Sequence, residues 1–274
     1  MPLGLPLHVQ RIYQTDSQEM ESALPVLYKY RESQNSWHLS VITDRELFLS
    51  SPSGFTDEWD CNLETRIDLL SSDERTAWVN RSIVDQFPEL ARAPIWKRWA
   101  YAQYHAHYGF IAVPDHVRRV LKESREVLNR RLGVLCLTAN PANGHMWEAY
   151  AGTFTGFCVG FHPQAFRGYA NGPIHYESEL PVFRGDEEPM THFMNLLYVK
   201  HEQYLKEEEY RINRFWPAEP TSTHRKLRVS LSQIAEVIIG HRAPEGFADF
   251  VCFHLPGIPI RIARPDVNGE VMLV

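Results

Sequence analysis

Two short apolar runs, each opened by a glycine, place the tightest limit on the fold. They are Gly133–Thr138 (GVLCLT) and Gly156–Phe161 (GFCVGF), and neither alternates between apolar and polar residues. A continuous apolar run of about six residues, bounded by turn residues, is typical of a β-strand that is buried on both faces. The two runs therefore predict interior strands of a sheet.

The remaining pattern mixes strands with helices. Strand-forming residues predict further strands at Val26–Arg31, Glu46–Ser51, Ile174–Glu177, Tyr210–Trp216, Ile234–Gly240 and, around two prolines, Val251–Ala263. Apolar spacings of three and four predict helices within Asp73–Asn129, His145–Ala151 and Met190–Glu208. We expect one α+β domain over residues 1–274, with a helical insertion at about 73–130.

Composition narrows the classes of partner. The chain has 274 residues and a net charge of −6, so nucleic acid is possible as a partner but is not indicated by the charge. Its four cysteines are scattered and form no C-x-x-C pair, which favours reduced thiols in a cytoplasmic protein and gives no reason to expect a metal site. No apolar run approaches the ~18 residues that a membrane span needs, so no membrane partner is expected.

The first predicted strand carries two cations on one face. In the segment YKYR, strand alternation places Lys29 and Arg31 together and Tyr28 and Tyr30 on the opposite face. Two neighbouring cations on a core strand need an anion, which a phosphate-bearing ligand would supply. The alternative is an exposed strand end with solvated basic residues.

Aromatic residues follow a loop that contains glycine. Trp147 and Tyr150 lie three residues apart on one face of a short predicted helix. They could stack on the ring of a ligand, or they could fill the core.

A run of carboxylates leads into the strand at Tyr210. Extending that strand backwards places Glu207, Glu209 and Arg211 on one face, with Glu208 and Tyr210 on the other. Arg211 could hold one of the carboxylates by an ion pair. Glu209 and Glu207 are thus candidate catalytic residues and Glu208 is expected to be dispensable, whereas the alternative is a solvated charge run.

The order of these segments is similar to that of a widespread bacterial family that carries a domain-of-unknown-function label. The resemblance runs from about Leu24 to Gly240, through the segments LYKYR, GFTDEWDCN, MWEAYA, GFCVGF and EEEYRI. This chain has Thr56, Asp57 and Glu58 where members of the family tend to have Asn-Asp-Pro.

The chain also resembles ADP-ribosyltransferases, which bind NAD in a cleft between two small sheets. In that pattern Arg31 or Lys29 corresponds to the cation of an early strand, and Ser50 and Ser51 correspond to the small hydroxyl residues of a middle strand. Glu209, with Glu207 before it, corresponds to the glutamate that leads a late strand. The resemblance implies split antiparallel or mixed sheets, with a glutamate that binds the ribose 2′-hydroxyl and stabilises an oxocarbenium-like transition state.

Three hypotheses follow for the function. The first is an enzyme that uses NAD as substrate, and either transfers ADP-ribose to an unknown macromolecular target or hydrolyses NAD, as a bacterial toxin or phage-defence effector would. Its NAD site would include Lys29, Tyr30, Arg31, Ser50, Ser51, Trp147 and Tyr150. The second is a binding module of a defence or regulatory system that holds a nucleotide or partner without turnover, and the third is an RNase-type enzyme.

Overall fold

The fold is a mixed α and β structure, as the sequence pattern predicts. The computed structural model describes residues 25–57, 59–62, 66, 69–86, 90, 92–108, 114–182 and 189–274, so part of the predicted helical insertion lies outside the described residues. Within the described ranges the strands are β1 (Leu27–Arg31), β2 (Glu46–Phe48), β3 (Leu132–Thr138), β4 (Phe157–Phe161), β5 (Ala170–Pro173), β6 (His175–Glu177), β7 (Val199–His201), β8 (Glu209–Phe215), β9 (Lys226–Arg228), β10 (Ile234–Gly240), β11 (Ile260–Pro265) and β12 (Val271–Leu273).

The described ranges also contain α-helices. They are α1 (Ser36–Thr43), α2 (Ser72–Gln86), α3 (Ile95–His107), α4 (Pro114–Arg131), α5 (Gly144–Ala149), α6 (Pro189–Tyr198) and α7 (Phe247–His254). Asn143 caps α5, because its side-chain oxygen accepts a hydrogen bond from the backbone N–H of Met146 at 3.1 Å. None of the helices that the structure describes combines the length and apolar character needed to cross a bilayer.

The main sheet has the order β12-β11-β10-β4-β1-β3-β8-β5. The pairing of β10 with β11 is parallel, and the pairings from β10 through β4, β1, β3 and β8 to β5 are antiparallel. The strand β1 pairs with β4 at five positions, and β3 pairs with β8 at seven. Between them, β1 and β3 pair at one position, where Tyr28 faces Thr138. The sheet is thus two well-paired halves that meet at one residue pair.

The interior position predicted for the strand GFCVGF is confirmed. All five residues of β4 are buried. Phe157, Val159 and Phe161 pack in the largest apolar cluster, whereas Cys158 packs on the other face with Trp147. Both faces of the strand are covered, which explains why its sequence does not alternate.

Two segments differ from their predictions. The segment Val251–Ala263 begins inside helix α7 and becomes a strand only at Ile260, where β11 lies beside β10. The helix predicted over Met190–Glu208 ends at Tyr198, and the chain continues through β7 into a 3₁₀ turn at Glu202–Glu207. That turn places the carboxylates of the candidate site.

Candidate functional site

A buried ion cluster lies at the start of β8. Glu209 leads the strand, and its Oε1 accepts a hydrogen bond from Arg211 Nε at 2.6 Å, as the predicted alternation requires. Arg211 is fully buried and reaches Asp60 Oδ1 at 2.7 Å. Lys200 Nζ lies 2.8 Å from Glu207 Oε2 and 3.1 Å from Glu209 Oε2. Two cations therefore hold three carboxylates in one fixed arrangement.

The neighbouring charges in the cluster determine whether Glu209 and Lys200 are protonated. Burial by itself raises the pKa of Glu209, but the positive charges of Arg211 and Lys200 outweigh burial and bring the pKa down to about 2. Burial lowers the pKa of Lys200, and the carboxylates of Glu209, Asp60 and Glu207 outweigh it and raise that pKa above its usual range. Glu209 is accordingly an anion and Lys200 a cation at neutral pH.

The predicted backward extension of the strand through Glu207 is wrong. Glu208 has a left-handed backbone with φ of 45°, so the chain turns there and β8 begins at Glu209. The turn nevertheless brings Glu207 and Glu209 to the same lysine, Lys200. The two candidate carboxylates do converge, by a turn rather than by strand alternation.

Glu208 also has contacts that its predicted dispensability does not anticipate. Its carboxylate accepts hydrogen bonds from Asn140 Nδ2 at 3.2 Å and from Asn143 Nδ2 at 3.3 Å. Asn143 Nδ2 also donates to the carbonyl of Lys206 at 2.8 Å. Glu208 therefore ties the loop after β3 to the turn that carries the carboxylates.

Two of the aromatic candidates lie in the buried core, and the third lies at the surface. Trp147 is fully buried and contacts Tyr30 edge to face at 5.2 Å, and Tyr30 in turn donates a hydrogen bond to the carbonyl of Asn140 at 2.8 Å. Both rings are buried, which agrees with the core alternative for Trp147, and the assignment of Trp147 and Tyr30 to an NAD site stays a prediction. Tyr150 is 44% exposed, and its hydroxyl donates to Glu207 Oε1 at 2.7 Å. Tyr150 thus joins the carboxylates at the surface.

Beyond the pair Tyr28–Thr138, β1 and β3 no longer pair, and the space between them is called the gap below. The two cations of β1, Lys29 and Arg31, lie on that part of the strand. Lys29 Nζ donates to the carbonyl of Cys136 on β3 at 2.6 Å, just beyond the one position where β1 and β3 pair. Burial and then the like charge of Arg31 lower the pKa of Lys29 to about 8, and Glu209 and Glu207 oppose this shift. The negative charges of the carboxylate cluster therefore affect the pKa of Lys29 across the gap.

Arg31 has no anionic partner among the residues that the structure describes. No hydrogen bond or ion pair involves its guanidinium there, and burial lowers the pKa of Arg31 to about 10. His38 lies close by, because its Nδ1 accepts the backbone N–H of Glu32 at 3.2 Å, and burial followed by the charge of Arg31 lowers its pKa. A partly buried guanidinium of this kind favours an anionic ligand.

The serines predicted for the middle strand lie elsewhere. Ser50 pairs with Val134, and the hydroxyl of Ser51 donates to the carbonyl of Asn129 at 2.7 Å. Glu209 pairs with Thr138, four residues further along β3, a separation of about 13 Å at ~3.3 Å per residue. The strand that lies between β1 and β8 is β3, and its residue paired with Glu209 is Thr138 rather than a residue of the Ser50–Ser51 segment.

Residues that the sequence pattern did not single out complete the site. Lys200 lies on β7, and Cys136 lies on β3, where it pairs with Arg211. Asp60 comes from the segment between β2 and α2. Lys200 lies inside a stretch with helical spacing and Cys136 inside an apolar run, so neither gave a signal of a polar site.

Comparisons of the chain with protein-family models, with curated proteins and with solved structures found no match.

Proposed function

We propose that this protein binds NAD in the gap between its half-sheets and breaks the bond between nicotinamide and ribose. The observation that carries the proposal is the placement of opposite charges across the gap. Lys29 and Arg31 lie on β1, and neither has a carboxylate partner among the described residues, while Glu207 and Glu209 lie on the far side of β3. A dinucleotide offers a pyrophosphate to the cations and a developing positive charge to the carboxylates.

The chemistry follows from this division. The pyrophosphate would bind Arg31 and Lys29, which have donors to spare. As the glycosidic bond breaks, its electron pair leaves with the nicotinamide nitrogen and positive charge develops at ribose C1′. The anionic carboxylates of Glu209 and Glu207 stabilise that charge by electrostatic attraction. Water or a nucleophile of the macromolecular target then attacks C1′ and gives up a proton, so that ADP-ribose is hydrolysed free or transferred.

The resemblance to ADP-ribosyltransferases agrees with this arrangement in part. The early strand with its cations, a middle strand and the late strand led by Glu209 are neighbours, in the order β1-β3-β8. Thr138 is the hydroxyl residue of the middle strand beside Glu209, but it is fully buried. At the surface, the hydroxyl of Tyr150 donates to Glu207 at 2.7 Å.

A second candidate function is nucleotide binding without turnover. The observation that favours it is the saturation of Glu209, whose oxygens already accept hydrogen bonds from Arg211 at 2.6 Å and Lys200 at 3.1 Å. Glu209 is also only 5% exposed. For catalysis the ribose must reach this carboxylate or its neighbour Glu207, whereas simple binding requires only the cations of β1.

The test measures nicotinamide release and NAD binding in the same preparations. The variants are Arg31→Gln, Glu209→Gln and the control Arg264→Gln, which removes an exposed arginine from β11. The enzyme hypothesis predicts release by the unchanged protein and by the control, and its loss in both site variants. Circular dichroism and thermal unfolding show whether each variant is folded.

The other outcomes separate the two functions. Binding without release, lost in Arg31→Gln and kept in the control, establishes the binding module and overturns the enzyme. Absence of both binding and release in the unchanged protein overturns the two functions together. If Glu209→Gln fails to fold, Arg31→Gln still decides whether the cations of β1 hold the nucleotide.

A further inference from the structure

Two lysines lie near the same carboxylates in opposite environments. Lys200 is buried and contacts Glu207, Glu209 and Asp60 at 2.8, 3.1 and 3.5 Å. Lys29 is partly exposed, and no carboxylate among the described residues lies within 4.0 Å of its Nζ. The first amine is locked in ion pairs and the second is not.

The surroundings of Lys29 make its ammonium easier to deprotonate than that of an ordinary lysine, although it stays mostly a cation at neutral pH. Its Nζ donates to one acceptor, the carbonyl of Cys136, which a neutral amine can serve as well as an ammonium. The guanidinium of Arg31, two residues along the same strand face, repels a second positive charge. The pKa of Lys29, lowered to about 8, agrees with this geometry. A lysine beside another cation in a partly desolvated gap is a common form of amine nucleophile.

We propose that Lys29 is a covalent capture site for phosphorylated aldehydes, with Arg31 as the residue that holds the phosphate. The Nζ lone pair attacks the carbonyl carbon, and a proton from the nitrogen passes to the carbonyl oxygen to give a carbinolamine. Loss of one water then leaves an imine between Nζ and the aldehyde carbon. The reaction needs no oxidant or reductant, and it is reversible until a hydride donor reduces the imine.

The natural aldehyde follows from the proposed function and rests on it. ADP-ribose released from NAD carries a pyrophosphate and, in its open-chain form, an aldehyde at ribose C1. The carbon that loses nicotinamide would thus become the carbon that Lys29 captures, which would make Lys29 a site of product retention or self-modification. The capture site itself depends only on Lys29 and Arg31.

Reductive trapping tests the site with pyridoxal 5′-phosphate as probe. The full-length protein is treated with the probe at neutral pH, reduced with borohydride and digested, and the modified peptides are quantified by mass spectrometry. We expect Lys29 to react on the order of tenfold or more faster than an exposed lysine such as Lys97, because more of its amine is neutral. Inorganic pyrophosphate should protect Lys29 but not Lys97.

Two comparisons make the test specific. Lys200 is the matched control within the protein, since it lies near the same carboxylates and should remain unmodified. Arg31→Gln should remove the preference of Lys29 for pyridoxal 5′-phosphate over pyridoxal, which lacks the phosphate. Uniform labelling of exposed lysines, or a Lys200 as reactive as Lys29, would overturn the proposal.

ADP-ribose with borohydride provides the second arm. Its adduct on Lys29, together with pyridoxal phosphate labelling, supports both the site and the natural aldehyde. Labelling by pyridoxal phosphate without an ADP-ribose adduct overturns the assignment of ADP-ribose and leaves the phosphorylated-aldehyde site standing. Neither arm requires NAD cleavage, so failure of the proposed enzyme activity is detected separately, by the absence of nicotinamide release.

Discussion

Lys29 and Arg31 are cations held in a partly buried gap with no carboxylate partner among the described residues. Such an arrangement costs folding free energy, because a desolvated charge without a counter-ion is unfavourable. Lys200 and Arg211 show the opposite arrangement, with carboxylates at 2.6–3.1 Å. The contrast supports the proposal that an external anion binds in the gap.

The pH dependence of stability should reveal the cost at Lys29. Its pKa is about 8 in the folded protein, against the usual 10.5, so the unfolded chain holds the proton more tightly. Stability therefore rises as pH increases from about 8 to about 10.5, by on the order of 1–3 kcal/mol at ~1.4 kcal/mol per pKa unit. Lys29→Met should lack this rise. Urea unfolding of both proteins across the window measures the difference.

The variants are compared by how steeply the free energy of unfolding changes with pH, and not by its value at one pH. Lys29→Met also deprives the carbonyl of Cys136 of a donor, which offsets part of the gain at neutral pH by about 1 kcal/mol. Lys97→Met, at an exposed position, is the matched control and should leave the slope unchanged. If the free energy of unfolding rises equally with pH in Lys29→Met and in the unchanged protein, Lys29 carries no unpaired charge.

At the scale of elements, apolar strands were the most predictable part of the chain. The bounds predicted for Ile234–Gly240 are those of β10, and the cation face of β1 follows from simple alternation. The pattern does not reveal β5, whose sequence ANGP lacks strand-forming residues and becomes a strand by pairing with β8. Helix α7 was missed because the prolines that follow it suggested a strand. Local propensity does not account for β5, and its pairing with β8 does.

The site was predictable to the extent that it lies on regular strands. Alternation along β8 gives the pair Glu209 and Arg211, which the structure confirms at 2.6 Å. The contact of Glu207 with Lys200 depends on the left-handed turn at Glu208, and no periodicity encodes a turn of that kind. The position of Ser50 beside Val134 depends on where β1 and β3 part. The turn at Glu208 and the point where β1 and β3 stop pairing depend on the packing of the whole sheet, so local sequence does not predict them.

The turn that joins α5 to β4 is fixed by a close backbone contact at the end of β10. Three consecutive residues, Gly152–Phe154, have left-handed backbones, and Gly240 donates from its N–H to Gly156 beside them. A Cβ on Gly240 would lie 2.1 Å from the carbonyl oxygen of Phe154. Gly240→Ala should therefore lower the free energy of unfolding by on the order of 3 kcal/mol. Chemical denaturation provides the measurement.

Gly54→Ala is the matched control for this substitution. A Cβ at Gly54 meets nothing within 4 Å, so the control should change stability by less than about 0.5 kcal/mol. Equal stabilities for the two alanine variants would show that the turn can move away from β10 without cost.

At the scale of the whole molecule, the sheet is two halves with one shared residue pair. The half that contains β1 also contains β4, β10, β11 and β12, and the other contains β3, β8 and β5. Backbone hydrogen bonds hold each half together, and in the described sheet the backbone pair between the halves is Tyr28 with Thr138. The side chains of Lys29 and Tyr30 also donate hydrogen bonds across, to the carbonyls of Cys136 and Asn140. A ligand that binds Arg31 on one side and the carboxylates on the other would add a further connection.

Hydrogen exchange should detect that connection. On addition of NAD, we expect slower exchange in two peptides at once, one over residues 30–38 at the end of β1 and one over residues 136–143 after β3. These segments lie on opposite sides of the gap, so a bridging ligand stabilises both, whereas a ligand held by the cations alone protects only the first. The peptide over β10, which lies away from the gap, serves as the internal reference. Arg31→Gln should abolish both effects, and protection of the first peptide alone in the unchanged protein would confine the ligand to β1 and remove the carboxylates from the site.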